Sequence, residues 1–560
     1  MGFSASPRVR RGCAIALPLC LIVVSGAALA SCSDQKLDAS AQSAVIGFVQ
    51  ALNDRDPEAA AALTSYPNAA KESIQQMFDG LDAQESRWTV AQFMELNNDS
   101  GFFTVDVDWN FGEGKDWDYY VDGGVRKLSV GWRVSWDPTL LAPGLGHGAS
   151  VRYDRTDAAP PKVFDDTGTP LMSEQTINAI MLDPEAMSDP AATTDRVAKA
   201  IEPVAPLVTA DYMREELAAK PGEKVVAVLL RDPDYFYLEQ ELTRIPGVVV
   251  DKQPRLITDD RRISTPLLDP LRTVWQMNRD ATAGWAVNIH EPDGSVQRQV
   301  GYQGPPGPDI QATLDSQMQL AAENAVVSVG TPAAIVAIRP STGGIVFAAQ
   351  NNQAIDQGPI AFTGLYPAGS SLDLVRQAAA LESGVAPADV SDADLERAGR
   401  QLGIGLHYEM PGLDPATGVL TEAQSGVDRV MRSQDGTETQ VSAFGLAMVA
   451  ASVARGSVPM PMFVEGQQAT AENVEDALPA AVTDQLRNTM RDNVQKGPAS
   501  YLAGYRDLIG VASGNETDRW FFGSRGDLAF AVFVADADGS DRAVKMTDLL
   551  MRELAKSAQG

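Results

Sequence analysis

Two apolar runs, Ala333 to Ile338 and Gly344 to Ala349, flank Arg339 and the turn Pro340-Ser341-Thr342-Gly343, and no other feature limits the fold so tightly. Short apolar runs bounded by turn chemistry read as strands buried on both faces, and a Pro/Gly turn between them makes an antiparallel hairpin. A hairpin of this kind needs a further strand and a helical cover to be stable. The end of the chain offers both, an apolar strand at Ala529 to Val534 and an apolar-faced helix at Val544 to Leu554. A helix is expected over Ile310 to Val326 at the start of this region. Strands at both ends with helical sequence between them imply an antiparallel sheet wrapped by helices.

Upstream, residues 40–53 carry Val45, Phe48, Val49 and Leu52 on one helical face, and Asp54-Arg55-Asp56-Pro57 breaks that helix. A second helix is expected at Ala69 to Leu81. Alternation then places Phe103, Val105, Val107 and Trp109 on one strand face, and Leu128, Val130, Trp132, Val134 and Trp136 on one face of a closing strand. Residues 40–136 therefore form an α+β unit. The stretch 137–308 mixes helices with short strands at Lys224 to Leu230 and Gly247 to Val250, and turns at Asp165-Asp166-Thr167-Gly168. The break Gly304-Pro305-Pro306-Gly307-Pro308 separates it from residues 309–560.

The first 32 residues read as an export signal: Arg8, Arg10 and Arg11 precede an apolar run, Ala14 to Ala30, that is short for a membrane span. The run ends in Leu29-Ala30-Ser31-Cys32, which resembles a bacterial lipobox. That resemblance implies cleavage before Cys32, a lipid on its sulfur, and residues 33–39 as a linker; an uncleaved anchor helix is the alternative. Cys13, Cys20 and Cys32 are the only cysteines, so the mature chain would carry no disulfide. The net charge of -29 argues against nucleic acid and anionic lipid as partners. Three histidines, His147, His290 and His407, stand far apart, so neither a metal nor another cofactor is expected.

Asp315-Ser-Gln-Met-Gln319, Ala333 to Gly343, Tyr366-Pro-Ala-Gly-Ser-Ser371, Gln440 to Met448 with Val453 to Gly456, and Trp520 to Gly523 with Asp527 to Phe533 stand in an order that resembles the transpeptidase domain of class B penicillin-binding proteins. Residues 40–136, with the exit Trp136-Asp-Pro-Thr-Leu140, look like the nuclear-transport-factor-like N-terminal domain of the methicillin-resistance type. The resemblance implies an α+β multidomain lipoprotein: residues 40–136 nuclear-transport-factor-like, 137–308 a pedestal or dimerisation-like region, and 309–560 a transpeptidase-like domain related to serine β-lactamases.

The family's acyl transfer uses three motifs, and each departs here. Ser370 aligns with the nucleophile, but Asp373 stands where a lysine one helical turn on should take the proton. A carboxylate there would set negative charge beside a developing oxyanion. The plain alternative is that Ser370 and Ser371 start a helix with Asp373 as a first-turn acid. No Ser-x-Asn lies between Leu374 and Leu402, ahead of Gly403-Ile404-Gly405, and Ser391-Asp392-Ala393 lacks the amide. The Lys-Thr-Gly position reads Ala512-Ser513-Gly514, keeping a hydroxyl and a glycine but no cation. Ser513-Gly514-Asn515 matches Ser-x-Asn on the wrong element and reads as chance, and Ser433-Gln434-Asp435-Gly436 departs from the family's Ile-Gly-Gln-Gly.

Losing base, relay and carboxylate anchor together implies a pseudoenzyme at the extracytoplasmic face of the cytoplasmic membrane. Its expected partners are peptidoglycan or its precursors and cell-wall synthesis proteins. An active transpeptidase using Ser370 with divergent motifs is the alternative, and an unrelated solute-binding lipoprotein is a third reading.

Overall fold

The computed structural model describes residues 40–420 and 439–557; the leader with Cys13, Cys20 and Cys32, the linker, and Ser433 to Gly436 lie outside the described residues. The chain divides into two compact units, one of residues up to 154 with 287–301, the other of 155–286 with the rest from 302.

In the first unit, α1 (Ala41–Asn53) begins where the Ser40 hydroxyl accepts from Ser43 N, and it buries Val45, Phe48, Val49 and Leu52 as the periodicity requires. Then come α2 (Pro57–Ala62), capped by Asp56, and α3 (Pro67–Leu81), which starts at a proline that needs no donor there. Four antiparallel strands follow as a meander, β1 (Glu85–Asn97), β2 (Ser100–Asn110), β3 (Asp116–Leu128) and β4 (Gly131–Val134). Phe103, Val105, Val107 and Trp109 are all buried, as their alternation predicts. The closing strand differs from expectation. Trp132, Val134 and Trp136 face inward, but Leu128 and Val130 are 41% and 67% exposed, because the chain reverses at 129–130 and β4 begins only at Gly131. The Tyr119 hydroxyl receives Trp109 Nε1 at 3.1 Å and donates to the Leu141 carbonyl, tying sheet to exit loop. Gly123 is required there: a Cβ would lie 2.3 Å from the Phe103 ring and 2.6 Å from Leu140.

The second unit contains two five-stranded sheets beside smaller ones. In one, β5 (Val163–Phe164), β6 (Pro170–Leu182), β7 (Val225–Arg231) and β8 (Val248–Thr258) surround the central β6, which pairs with β8 from Met172↔Thr258 to Leu182↔Val248. The strand expected at Gly247 to Val250 thus runs on to Thr258. Its polar stretch Asp251 to Arg255 hid it, and Pro254 is tolerated because β8 pairs on one side only among the described residues. Helix α4 (Leu268–Ala281) follows, and β9 (Ile310–Gln311) joins β5 in parallel. The helix expected from Ile310 is therefore shorter: α5 (Ser316–Val326) starts only where Asp315 accepts from Gln317 N and Met318 N, each at 2.9 Å.

The other sheet has the expected hairpin, β10 (Ala333–Ile338) with β11 (Ile345–Gln350). Helices α6 (Asp373–Ser383), α7 (Ala443–Arg455) and α8 (Ala480–Lys496) lead to β12 (Leu508–Gly514), β13 (Arg519–Arg525), β14 (Leu528–Val534) and α9 (Arg542–Ser557). The antiparallel order is β11-β10-β14-β13-β12. Alternate residues separate into two cores, as strands covered on both faces must. Ala334, Val336, Phe522 and Phe533 pack with α7. Ile335, Ala337, Phe530 and Val532 pack with α5 and α9. The first of these cores also takes in Val163, Leu171, Leu256 and Leu271 from the earlier sheet and α4. Polar ties cross the same seam: Thr265 donates to the Ala348 carbonyl at 2.7 Å, and Ser264 N to Glu323 at 2.8 Å. Burial pushes the Glu323 carboxyl above its usual range. Among the described residues, no helix is long and apolar enough to cross a membrane.

Candidate functional site

The residues singled out around 370 and 513 are far apart in sequence and meet in space. Tyr366–Pro367 pairs antiparallel with Gln440–Val441, which fixes the entry of the chain into a single 3-10 turn, Gly369–Leu372, ahead of α6. Gly369 has φ +51°, and a Cβ there would lie 2.3 Å from the Gly514 carbonyl oxygen, so the turn sits directly on the end of β12. The expected nucleophile and the degenerate Lys-Thr-Gly position are thereby brought together. The Ser370 hydroxyl accepts from Gly514 N at 3.2 Å and donates to Gly514 O at 3.2 Å. The Ser371 hydroxyl, fully buried, lies 2.9 Å from that of Ser513, and Ala512 N donates to Asn493 of α8 at 3.1 Å.

Asp373 lies away from this contact. It is exposed in the first turn of α6, with Arg376 Nη1 at 3.5 Å. The first-turn acid of the plain reading is therefore present, but neither Ser370 nor Ser371 caps the helix, since the N-cap of α6 is Leu372 and no side chain caps it. From residue 309 onward the chain holds three lysines, Lys496, Lys545 and Lys556. Each sits exposed on a helix and pairs with an acid three or four residues before it, Asp492, Asp541 and Glu553. Ser391 accepts from Asp394 N at 3.2 Å and so caps its own helix, Asp392–Gln401.

Asn515, read from sequence as a chance match, has a structural role. Its amide donates to Pro367 O and to Asp518 Oδ2, each at 3.0 Å, while its Oδ1 accepts from Thr517 N and Asp518 N. This clamps the serine turn to the β12–β13 loop. Arg519 directs its guanidinium at the carbonyls of Asn515 and Asp518, 2.6 and 2.8 Å away. Behind the turn the Tyr366 ring packs on Phe533 at 4.1 Å, and its hydroxyl donates to Gln357 at 2.8 Å. Burial first, then Asp518 and Asp536, push that phenol up to about 12. A literal Ser-x-Asn reading could have flagged Asn515; nothing local in the sequence marks Tyr366 or Arg519 as its neighbours.

In this arrangement the Ser370 hydroxyl is hydrogen-bonded to backbone groups of Gly514. A serine attacks a carbonyl only when a base removes its proton, and a backbone carbonyl is no base. The Gly514 N–H, which could otherwise face a developing oxyanion, is directed at the serine oxygen instead. His290 and His407 face Asp154 and Asp414, and no cluster of three metal-ligating side chains occurs among the described residues.

Residues 40–149 match a family model described as the NTF2-like N-terminal transpeptidase domain, MecA_N. The match covers the helices and four-stranded sheet of the first unit, so a mixed α/β multidomain chain carries that domain at its N-terminal side. No curated protein matches the chain.

Proposed function

We propose that this chain is a lipid-anchored scaffold of peptidoglycan synthesis in which a transpeptidase-like region has kept its architecture and lost acyl transfer. The match at residues 40–149 points to a penicillin-binding-protein-like transpeptidase family. The observation that carries the reading is the occupancy of Ser370: its hydroxyl is engaged on both sides by Gly514 backbone, and the three lysines of that region pair elsewhere. Losing the base from such a unit costs about 10⁴-fold or more in rate. What remains is a surface, which would contact peptidoglycan, its precursors or cell-wall enzymes. The lipid on Cys32 would hold that surface at the outer face of the cytoplasmic membrane.

The test is incubation with a fluorescent penicillin, followed by denaturing electrophoresis. No covalent band is expected, from the native chain or from Ser370→Ala. A band present in the native chain and lost in Ser370→Ala would replace this reading with an active acyl-serine enzyme. The meeting of the serine turn with the end of β12, where Ser370 bonds the Gly514 backbone and the Ser371 hydroxyl lies 2.9 Å from that of Ser513, is the feature that would favour that outcome. For the anchor, Cys32→Ala should move the protein from the membrane fraction to the soluble fraction.

A further inference from the structure

A cleft of about 940 Å³ opens in the second unit where α4 lies over the β6–β8 sheet, remote in sequence from Ser370. Its wall is apolar, built from Ile177, Leu256, Met277 and the Trp275 ring, yet four arginines line it: Arg231, Arg255, Arg272 and Arg279. Two of the four are neutralised. Arg279 holds Asp157 at 2.7 Å and Glu174 at 3.0 Å and lies 4.6 Å from the Trp275 ring centroid, although its Nε is buried with no partner. Arg272 holds Asp269 at 2.5 Å.

The other two make no ion pair among the described residues. Arg231 has one long bond, 3.4 Å, to the Thr258 hydroxyl, and Arg255 reaches only the Gln253 side-chain oxygen, at 2.9 and 3.2 Å. Such isolation is unexpected in a chain with 74 acidic and 45 basic residues, where a carboxylate is easily supplied. Of the acids nearby, Asp280 pairs with Arg155, Asp234 with Arg261 and Asp260 with Arg262, while Asp259 makes no ion pair among the described residues and accepts from Ser173 and Gln175. Burial and the neighbouring Arg261 hold Arg231 below the usual arginine range even though Asp234, Asp259 and Asp260 act in the opposite direction.

Guanidinium forks complement oxyanions in a plane, and an apolar floor with an aromatic ring favours a hydrophobic body. We infer that this cleft binds an amphiphilic organic oxyanion, its head between Arg231 and Arg255 and its apolar body on Ile177, Leu256 and Trp275. The inference stands independently of what Ser370 does.

Titration calorimetry of the full chain with 1-naphthyl phosphate tests it, with inorganic phosphate and 1-naphthol as the two halves of the ligand. The expected result is saturable binding at one site per chain. Each half alone should bind at least tenfold more weakly. Charge-assisted contacts of this kind make Arg231→Gln and Arg255→Gln each weaken binding about tenfold. Arg255 is exposed, so Arg255→Gln should fold as the native chain does, while Arg255→Lys should recover part of the affinity by charge alone. Absence of saturable binding, equal affinity for either half alone, or unchanged affinity in both glutamine variants would overturn the inference.

Discussion

Asn515→Ala should release the clamp that holds the serine turn against β12. The alanine removes one donated bond to the Pro367 carbonyl and one to the Asp518 carboxylate, and it takes the acceptor from Thr517 N and Asp518 N. Asp518 is only 6% exposed, and its other oxygen is engaged by Asp536 N at 3.3 Å, so the lost partner is not fully replaced by water. A bond to a buried charge is worth about 1.5–3 kcal/mol and a neutral one about 1 kcal/mol, which together make the variant about 2–4 kcal/mol less stable. Urea unfolding followed by tryptophan fluorescence measures the loss, and hydrogen exchange locates it: amides of Leu508 to Gly514 should exchange faster than those of β10. Asn515→Asp keeps the turn's acceptor but sets a second carboxylate against Asp518. Its cost should therefore match or exceed that of alanine at pH 7 and shrink as the pH falls toward the carboxylate range. A stability within about 0.5 kcal/mol of native, with unchanged exchange in β12, would refute the clamp.

Gly369→Ala places a Cβ 2.3 Å from the Gly514 oxygen at φ +51°, so it should destabilise by more than 2 kcal/mol on the order-of-magnitude scale of a steric clash with left-handed strain, read by the same urea titration. The Tyr366 phenol, raised to about 12, makes folding lose stability as pH rises from the unfolded value near 10 through 12, because the unfolded chain gives up that proton first. Absorbance at 295 nm should show a late-ionising component near pH 12 that disappears in Tyr366→Phe. In the first unit, Asp108 and Asp118 stand directly opposite across β2 and β3, and burial, then Asp108, then other acids raise the Asp118 carboxyl. Asp118→Asn should stabilise that unit by about 0.2–1 kcal/mol at neutral pH and low salt, with the gain vanishing below the carboxylate range.

The sequence was most informative where one physical pattern dominates. The hairpin of β10 and β11 is apolar on both faces and closed by Pro340 to Gly343, so burial and turn chemistry agree. The helix from Ser40 has cap and periodicity together. It misled where a tertiary partner decides: Ile310 reads as helix from its apolar neighbours downstream, yet backbone pairing with Val163 makes it strand, and the helix waits for Asp315. Residues 251–258 look polar because only one edge and part of one face are covered. At the site, the spacing of Ser370 and of Ala512 to Gly514 was readable, whereas the Asn515 bond to Pro367 joins residues 148 apart and no local signal predicts it.

The seam described in the second unit has a bearing on how such a protein can be altered. Val163, Leu171, Leu256 and Leu271 are buried in the same core as Ala334 and Phe533, and β9 lies on β5. Cutting the chain at the Gly304 to Pro308 break would strip those side chains of their cover, baring apolar surface on both pieces and leaving strand edges open to aggregation. Neither stretch can be exchanged for a foreign counterpart without refitting the other. A hybrid made at that break would inherit half a core, whereas one made after residue 40–149 would carry its helices and meander intact.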